Sequence, residues 1–170
     1  MALLDSKLVN GQDLSKEQVT KLKQLSIDDK LYNQTLNYIA LRPRTKWEIE
    51  TYLKRKKASP TLLVNILNKL SITRLIDDQK FARSFVNDRQ LLRPTSRRKL
   101  ILELKQKHVK DEIIQRAIAE LEPGSEQVNL AKIIEIKRRQ TKYQDDQKLM
   151  QYLARQGFNY SDIKQALQND

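Results

Sequence analysis

The chain has 170 residues, of which 39% are hydrophobic and 32% charged, and it carries a net charge of +12. It contains no Cys, which excludes a disulfide framework and thiolate chemistry. Few Gly and Pro favour an all-helical protein. No apolar run approaches a membrane span and no signal-peptide core follows the N-terminus, so a cytoplasmic protein is expected.

Residues 1–25 read as a leader followed by one amphipathic helix. Ser15 with Gln18 resembles a capping box, and Leu14, Val19, Leu22 and Leu25 follow near helical spacing. A first three-helix repeat is expected over residues 26–75. Ser26 is expected to cap a helix carrying Ile27, Leu31, Tyr38 and Ile39, which Pro43 breaks. Thr45 caps the second helix, with Glu48 completing a capping box, and Trp47, Ile49 and Leu53 give it an apolar stripe. Ser59-Pro60 starts the third, lined by Leu63, Ile66, Leu67 and Leu70.

The second repeat, residues 76–122, restates the pattern. Asp77 or Asp78 caps a helix with Phe81 and Phe85, broken at Pro94. Ser96 opens a helix with Leu100, Ile101 and Leu104. Asp111 is expected to cap the next, which carries Ile114, Ala117, Ile118 and Leu121. Pro123-Gly124 is the clearest linker. In the third repeat, residues 123–170, Ser125 is expected to cap a helix with Leu130, Ile133 and Ile134. Asp145 opens one with Leu149 and Leu153, Gly157 stops it, and Asn159 caps the last.

Offsets of 51 and then 49 residues superpose these elements. Leu53, Leu104 and Leu153 fall in one column. So do Ile49, Leu100 and Leu149, and likewise the caps Thr45, Ser96 and Asp145. A repeat of this period implies stacked supersecondary units that share a core. The expected fold is therefore all-α: a tandem array of three three-helix repeats in a short curved solenoid, plus the N-terminal helical segment.

Charge is unevenly spread. Residues 31–75 hold nine Lys/Arg against two Asp/Glu, whereas residues 122–170 hold eight against seven. Such a load points to a polyanionic partner, or to a solubilising surface. The cations gather at two recurrent places. One is the joint before the second helix: Arg42, Arg44 and Lys46, then Arg93, Arg97, Arg98 and Lys99. The other is the end of that helix: Lys54, Arg55, Lys56 and Lys57, then Lys105 and Lys107. Cations at helix C-termini also satisfy the dipole without any partner. Those in the first turn, at 97–99, oppose the dipole and so suggest partner binding. Trp47 is either half-buried core or a stacking platform for a base.

Nothing points to catalysis. The lone His108 has no Cys neighbours to make a zinc site, and it reads as a surface residue ending a helix. Asp77-Asp78 and Asp145-Asp146 fall at helix starts, where capping explains them. No glycine-rich phosphate loop exists, and no cofactor or metal is expected.

The second repeat carries a resemblance. Leu75-Ile76-Asp77-Asp78-Gln79-Lys80-Phe81-Ala82 leads to Phe85-Val86, Arg89, Ser96 and the run from Leu100 to Leu104. Lys105-Gln106-Lys107-His108-Val109-Lys110-Asp111-Glu112-Ile113-Ile114 follows. These residues resemble the RecX family, bacterial regulators of the RecA recombinase, over roughly residues 31–168. The resemblance implies tandem three-helix repeats, binding along RecA–DNA filaments, and inhibition of RecA in recombinational repair and the SOS response. It implies no catalytic residues. Single- or double-stranded DNA is a further expected partner, a membrane is not, and a monomer is expected. His108 stands where the family commonly has Gly, and Lys110 where it has Ser. Two other readings compete: a helix-turn-helix DNA-binding protein, with Arg97-Arg98 as its passable recognition element, and a helical protein–protein scaffold.

Overall fold

The computed structural model describes residues 13–168, so the leader expected at the start of the chain lies mostly outside the described residues. These residues form nine α-helices, one short 3-10 turn at Thr141–Tyr143, and no strand. They divide into two compact units, one ending at Asp77 and one beginning at Asp78. The first holds α1 (Lys16–Ala40), α2 (Lys46–Arg55) and α3 (Pro60–Ile72). The second holds α4 (Asp78–Leu92), α5 (Arg97–Gln106), α6 (Asp111–Ala119), α7 (Ser125–Arg138), α8 (Asp146–Arg155) and α9 (Tyr160–Gln168).

Three apolar cores follow the repeat. Leu31, Ile49, Leu53, Ile66, Leu67, Leu70 and Ile76 form the first. Leu100, Leu104, Ile114, Ala117 and Ile118 join Phe81, Ala82 and Val86 in the second. Leu130, Ile133, Ile134, Leu149, Leu153, Phe158 and Ile163 form the third. The columns Ile49/Leu100/Leu149 and Leu53/Leu104/Leu153 are fully enclosed, each residue at 0% exposure.

The ends of the middle helices also repeat in detail. Thr45, Ser96 and Asp145 each accept a hydrogen bond from the backbone N–H three residues on, at 3.2, 3.1 and 3.1 Å. Each caps one of the orphan donors at a helix start. At the other end, Lys57, His108 and Gly157 all take positive φ, at 59, 54 and 91°. The N–H of the next residue, Ala58, Val109 or Phe158, donates back to the carbonyl of Leu53, Leu104 or Leu153 at 3.1–3.3 Å. This is the six-to-one bond of the Schellman turn, and the same pairs supply its apolar contact. His108 therefore adopts the helix-ending conformation that glycine would take without strain.

Three expected helix starts differ. Ser26 caps nothing, because α1 runs unbroken for 25 residues. No Gly or Pro interrupts it, and a mid-helix Ser facing solvent costs little. Ile27 is accordingly exposed rather than in the core. Lys110, not Asp111, occupies the cap position of α6, with no side-chain bond; Asp111 is its first helical residue, favoured there by the dipole. Gly124, not Ser125, precedes α7, because the left-handed φ of 80° at that position suits glycine. Of the two carboxylates expected at the start of α4, Asp77 stands just before the helix and Asp78 is its first residue.

Candidate functional site

The basic joints follow directly from the helix boundaries. α1 ends at Ala40 and α4 at Leu92, and the next helix in each case waits for its Thr45 or Ser96 cap. The chain crosses that gap as Leu41-Arg42-Pro43 and Leu92-Arg93-Pro94, two copies of one tripeptide 51 residues apart. Proline supplies the extended turn. Both leucines project into solvent, at 81% and 78% exposure. These paired exposed leucines were not singled out from the sequence, although the repeated tripeptide was available to signal them.

In the first unit Arg42 is paired with a carboxylate and Arg44 lies on an aromatic ring. Arg42 donates to Glu48 at 2.8 Å, and the carboxylate of the α2 capping box thereby serves two purposes. The hydrogen bond to Glu48 raises the Arg42 pKa above its ordinary value, burial opposes this, and the Glu48 charge adds to the rise. The Arg44 guanidinium lies 3.9 Å over the Tyr38 ring, which stacks on Tyr52 at 4.3 Å and 8°. Lys56 sits beyond, 5.7 Å from the Tyr52 ring. Tyr38 is thus part of a cation–aromatic tier as well as α1. Lys54 pairs with Glu50 at 2.6 Å, Lys46 is exposed, and Arg55 projects with no ion pair among the described residues. Trp47 is 40% exposed on α2.

In the second unit the first-turn cluster of α5 splits. Arg97 reaches the Glu122 carbonyl at 3.4 Å and the Glu126 carboxylate at 3.9 Å. Its backbone N–H donates to Glu126 as well, at 3.2 Å. Lys99 donates to the side-chain oxygen of Gln156. Both cations thereby join α5 to the following repeat. Arg98 alone of the three is exposed. Ser96 draws the same repeats together: its hydroxyl donates to the Gln156 carbonyl at 2.6 Å while accepting from Lys99. Lys105 pairs with Asp111 at 3.1 Å, and Lys107 lies 5.7 Å from the Phe81 ring.

Arg93 is exposed, and it lines a cleft of about 250 Å³ with Arg89, Thr95, Lys99, Tyr152 and Gln156. Among the described residues, no group of three or more acidic or His side chains could hold a metal ion. None of their helices is long and apolar enough to cross a membrane.

Known proteins match this arrangement. The family described as RecX, second three-helix domain, matches residues 77–118, and RecX, third three-helix domain, matches residues 130–167. Regulatory protein RecX of Enterococcus faecalis is 33% identical over 98% of this chain and 64% of its own length. The protein of that name from Mycolicibacterium smegmatis is 32% identical over 79% of this chain and 76% of its own. The one from Prosthecochloris aestuarii is 32% identical over 81% and 91%. A crystal structure of regulatory protein RecX superposes with a TM-score of 0.76 at 24% identity, covering 98% of this chain and 84% of that one. RecX from Lactobacillus salivarius superposes with a TM-score of 0.71 at 25% identity, covering 84% and 95%.

Proposed function

Because the chain belongs to the RecX family, we propose that it is a non-enzymatic inhibitor of the RecA recombinase that binds along the groove of the RecA–DNA filament. In this reading it slows ATP hydrolysis and strand exchange in recombinational repair and the SOS response. The observation that carries it is the match to regulatory RecX proteins along nearly the whole chain. The excess of cations supports it, since a polyanionic filament attracts such a surface from a distance.

Arg55 and Arg98 are the cleanest test, because both are exposed and neither forms an ion pair among the described residues. Replacing both by Ala weakens binding to preformed filament in a titration. Stability changes by no more than about 0.5 kcal/mol, as for other surface substitutions. If phosphates are the target, binding to naked single-stranded DNA falls too, and each lost contact flattens the logarithmic salt slope by about 0.7 units. If acidic recombinase side chains are the target, only filament binding falls. Wild-type binding of the folded variant to both would remove these residues from the site.

A further inference from the structure

The two joints are built alike but charged differently. In the first, Arg42 is neutralised by Glu48 at 2.8 Å. Moving 51 residues on, Arg42 becomes Arg93 and Glu48 becomes Lys99. The carboxylate that closes the first joint is therefore a second cation in the other. Arg93 and Lys99 line one cleft, together with Arg89, Thr95, Glu103, Tyr152 and Gln156. Its volume of about 250 Å³ far exceeds the ~10–15 Å³ that one water needs.

Three cations thus share this cleft with one carboxylate. That carboxylate is already committed: Glu103 accepts from Arg89 at 2.9 Å. Lys99 is held by the neutral amide of Gln156, which leaves its charge uncompensated. Arg93 has no ion pair among the described residues. Like charges gathered at one place repel unless an anion joins them.

We propose that the cleft between α4, α5 and α8 is a phosphate-binding site, in which Arg93 and Lys99 grip the anion and Arg89, oriented by Glu103, borders it. Guanidinium and ammonium groups together offer the charge-assisted bonds that a phosphate group accepts. The phosphate belongs either to a nucleic-acid backbone or to a small free anion. The site lies within the unit that begins at Asp78 and needs no recombinase to be tested.

The experiment uses the whole chain, isotopically labelled, and follows backbone amides by NMR. One arm titrates inorganic phosphate against chloride at equal ionic strength. The other titrates a 15-nucleotide oligothymidine with no terminal phosphate. Both arms compare the wild type with Arg93→Gln/Lys99→Gln and with Lys132→Gln/Lys164→Gln. The second pair removes the same charge from exposed positions that do not line the cleft. We expect shifts at residues 93–99 that saturate, and an affinity loss of roughly tenfold or more in the cleft variant, the size of a lost charge-assisted bond. The control should lose much less. Saturation by phosphate identifies a small-anion site, and saturation by the oligonucleotide alone identifies a backbone phosphodiester; each supports the assignment. Equal losses in the two variants, or no saturable shift in either arm, overturn it. Should the double variant unfold, Arg93→Gln alone decides, because that side chain holds no ion pair among the described residues.

Discussion

Leu104→Ala is expected to lower the stability of the chain by about 2–5 kcal/mol in urea unfolding followed by circular dichroism. Leu104 is fully enclosed, at 0% exposure, among Phe81, Val86, Leu100, Val109, Ile114 and Ile118. These residues come from α4, from α5 itself, from the turn after it and from α6, so the truncation empties space that no single helix can close. The Leu104 carbonyl also anchors the helix-ending turn, accepting from Val109 at 3.2 Å. That backbone bond survives the substitution, but Val109 loses the side chain on which it packs. The loss is therefore one of packing, and the slope of the transition should stay constant. A loss below about half a kcal/mol would show that this face of α5 is not the core.

Gly157→Ala is expected to cost about 2–5 kcal/mol in the same measurement. Two causes add. The backbone at Gly157 holds φ at 91°, which costs a residue with a side chain about 1–2 kcal/mol. An added Cβ also falls 2.6 Å from the Ser96 hydroxyl oxygen and 3.5 Å from the Lys99 backbone nitrogen. Ser96 is tied to both Gln156 and Lys99 and cannot swing aside freely. Overpacking of this kind costs about 1–3 kcal/mol. Ser96→Ala separates the two causes. In the double variant the clash is gone, so the combined loss should be smaller than the sum of the single losses. Full additivity would mean that the close approach is not a constraint. Lys57 and His108 occupy the same turn without glycine, so the backbone term alone is tolerable.

Much of this fold is legible because its signals are local. Thr45 with Glu48, Ser59 with Pro60, and Asp145 announce helix starts by chemistry within four residues. The leucine columns emerge once the chain is laid on itself. What escapes is either the absence of a signal or a distant partner. α1 continues through Ser26 because nothing stops it. The Schellman column shows at Gly157, and at His108 through the glycine the resemblance places there, whereas Lys57 carries no such mark. The site was harder to read. Arg97 and Lys99 look spare in the sequence, yet their partners are Glu126, 29 residues away, and Gln156, 57 residues away. The charge reversal from Glu48 to Lys99 is visible in the alignment of repeats. Its meaning depends on the Arg42–Glu48 bond, which only the folded joint displays.

Regulation of a recombinase, the proposed function, is tested by RecA ATPase on single-stranded DNA with and without this chain at several salt concentrations. Under the proposed function, added chain lowers the rate of hydrolysis. The inhibition also weakens as salt rises, because surface charges are screened within about 10 Å at 0.1 M. A hydrolysis rate unaffected by excess chain at low salt would contradict it.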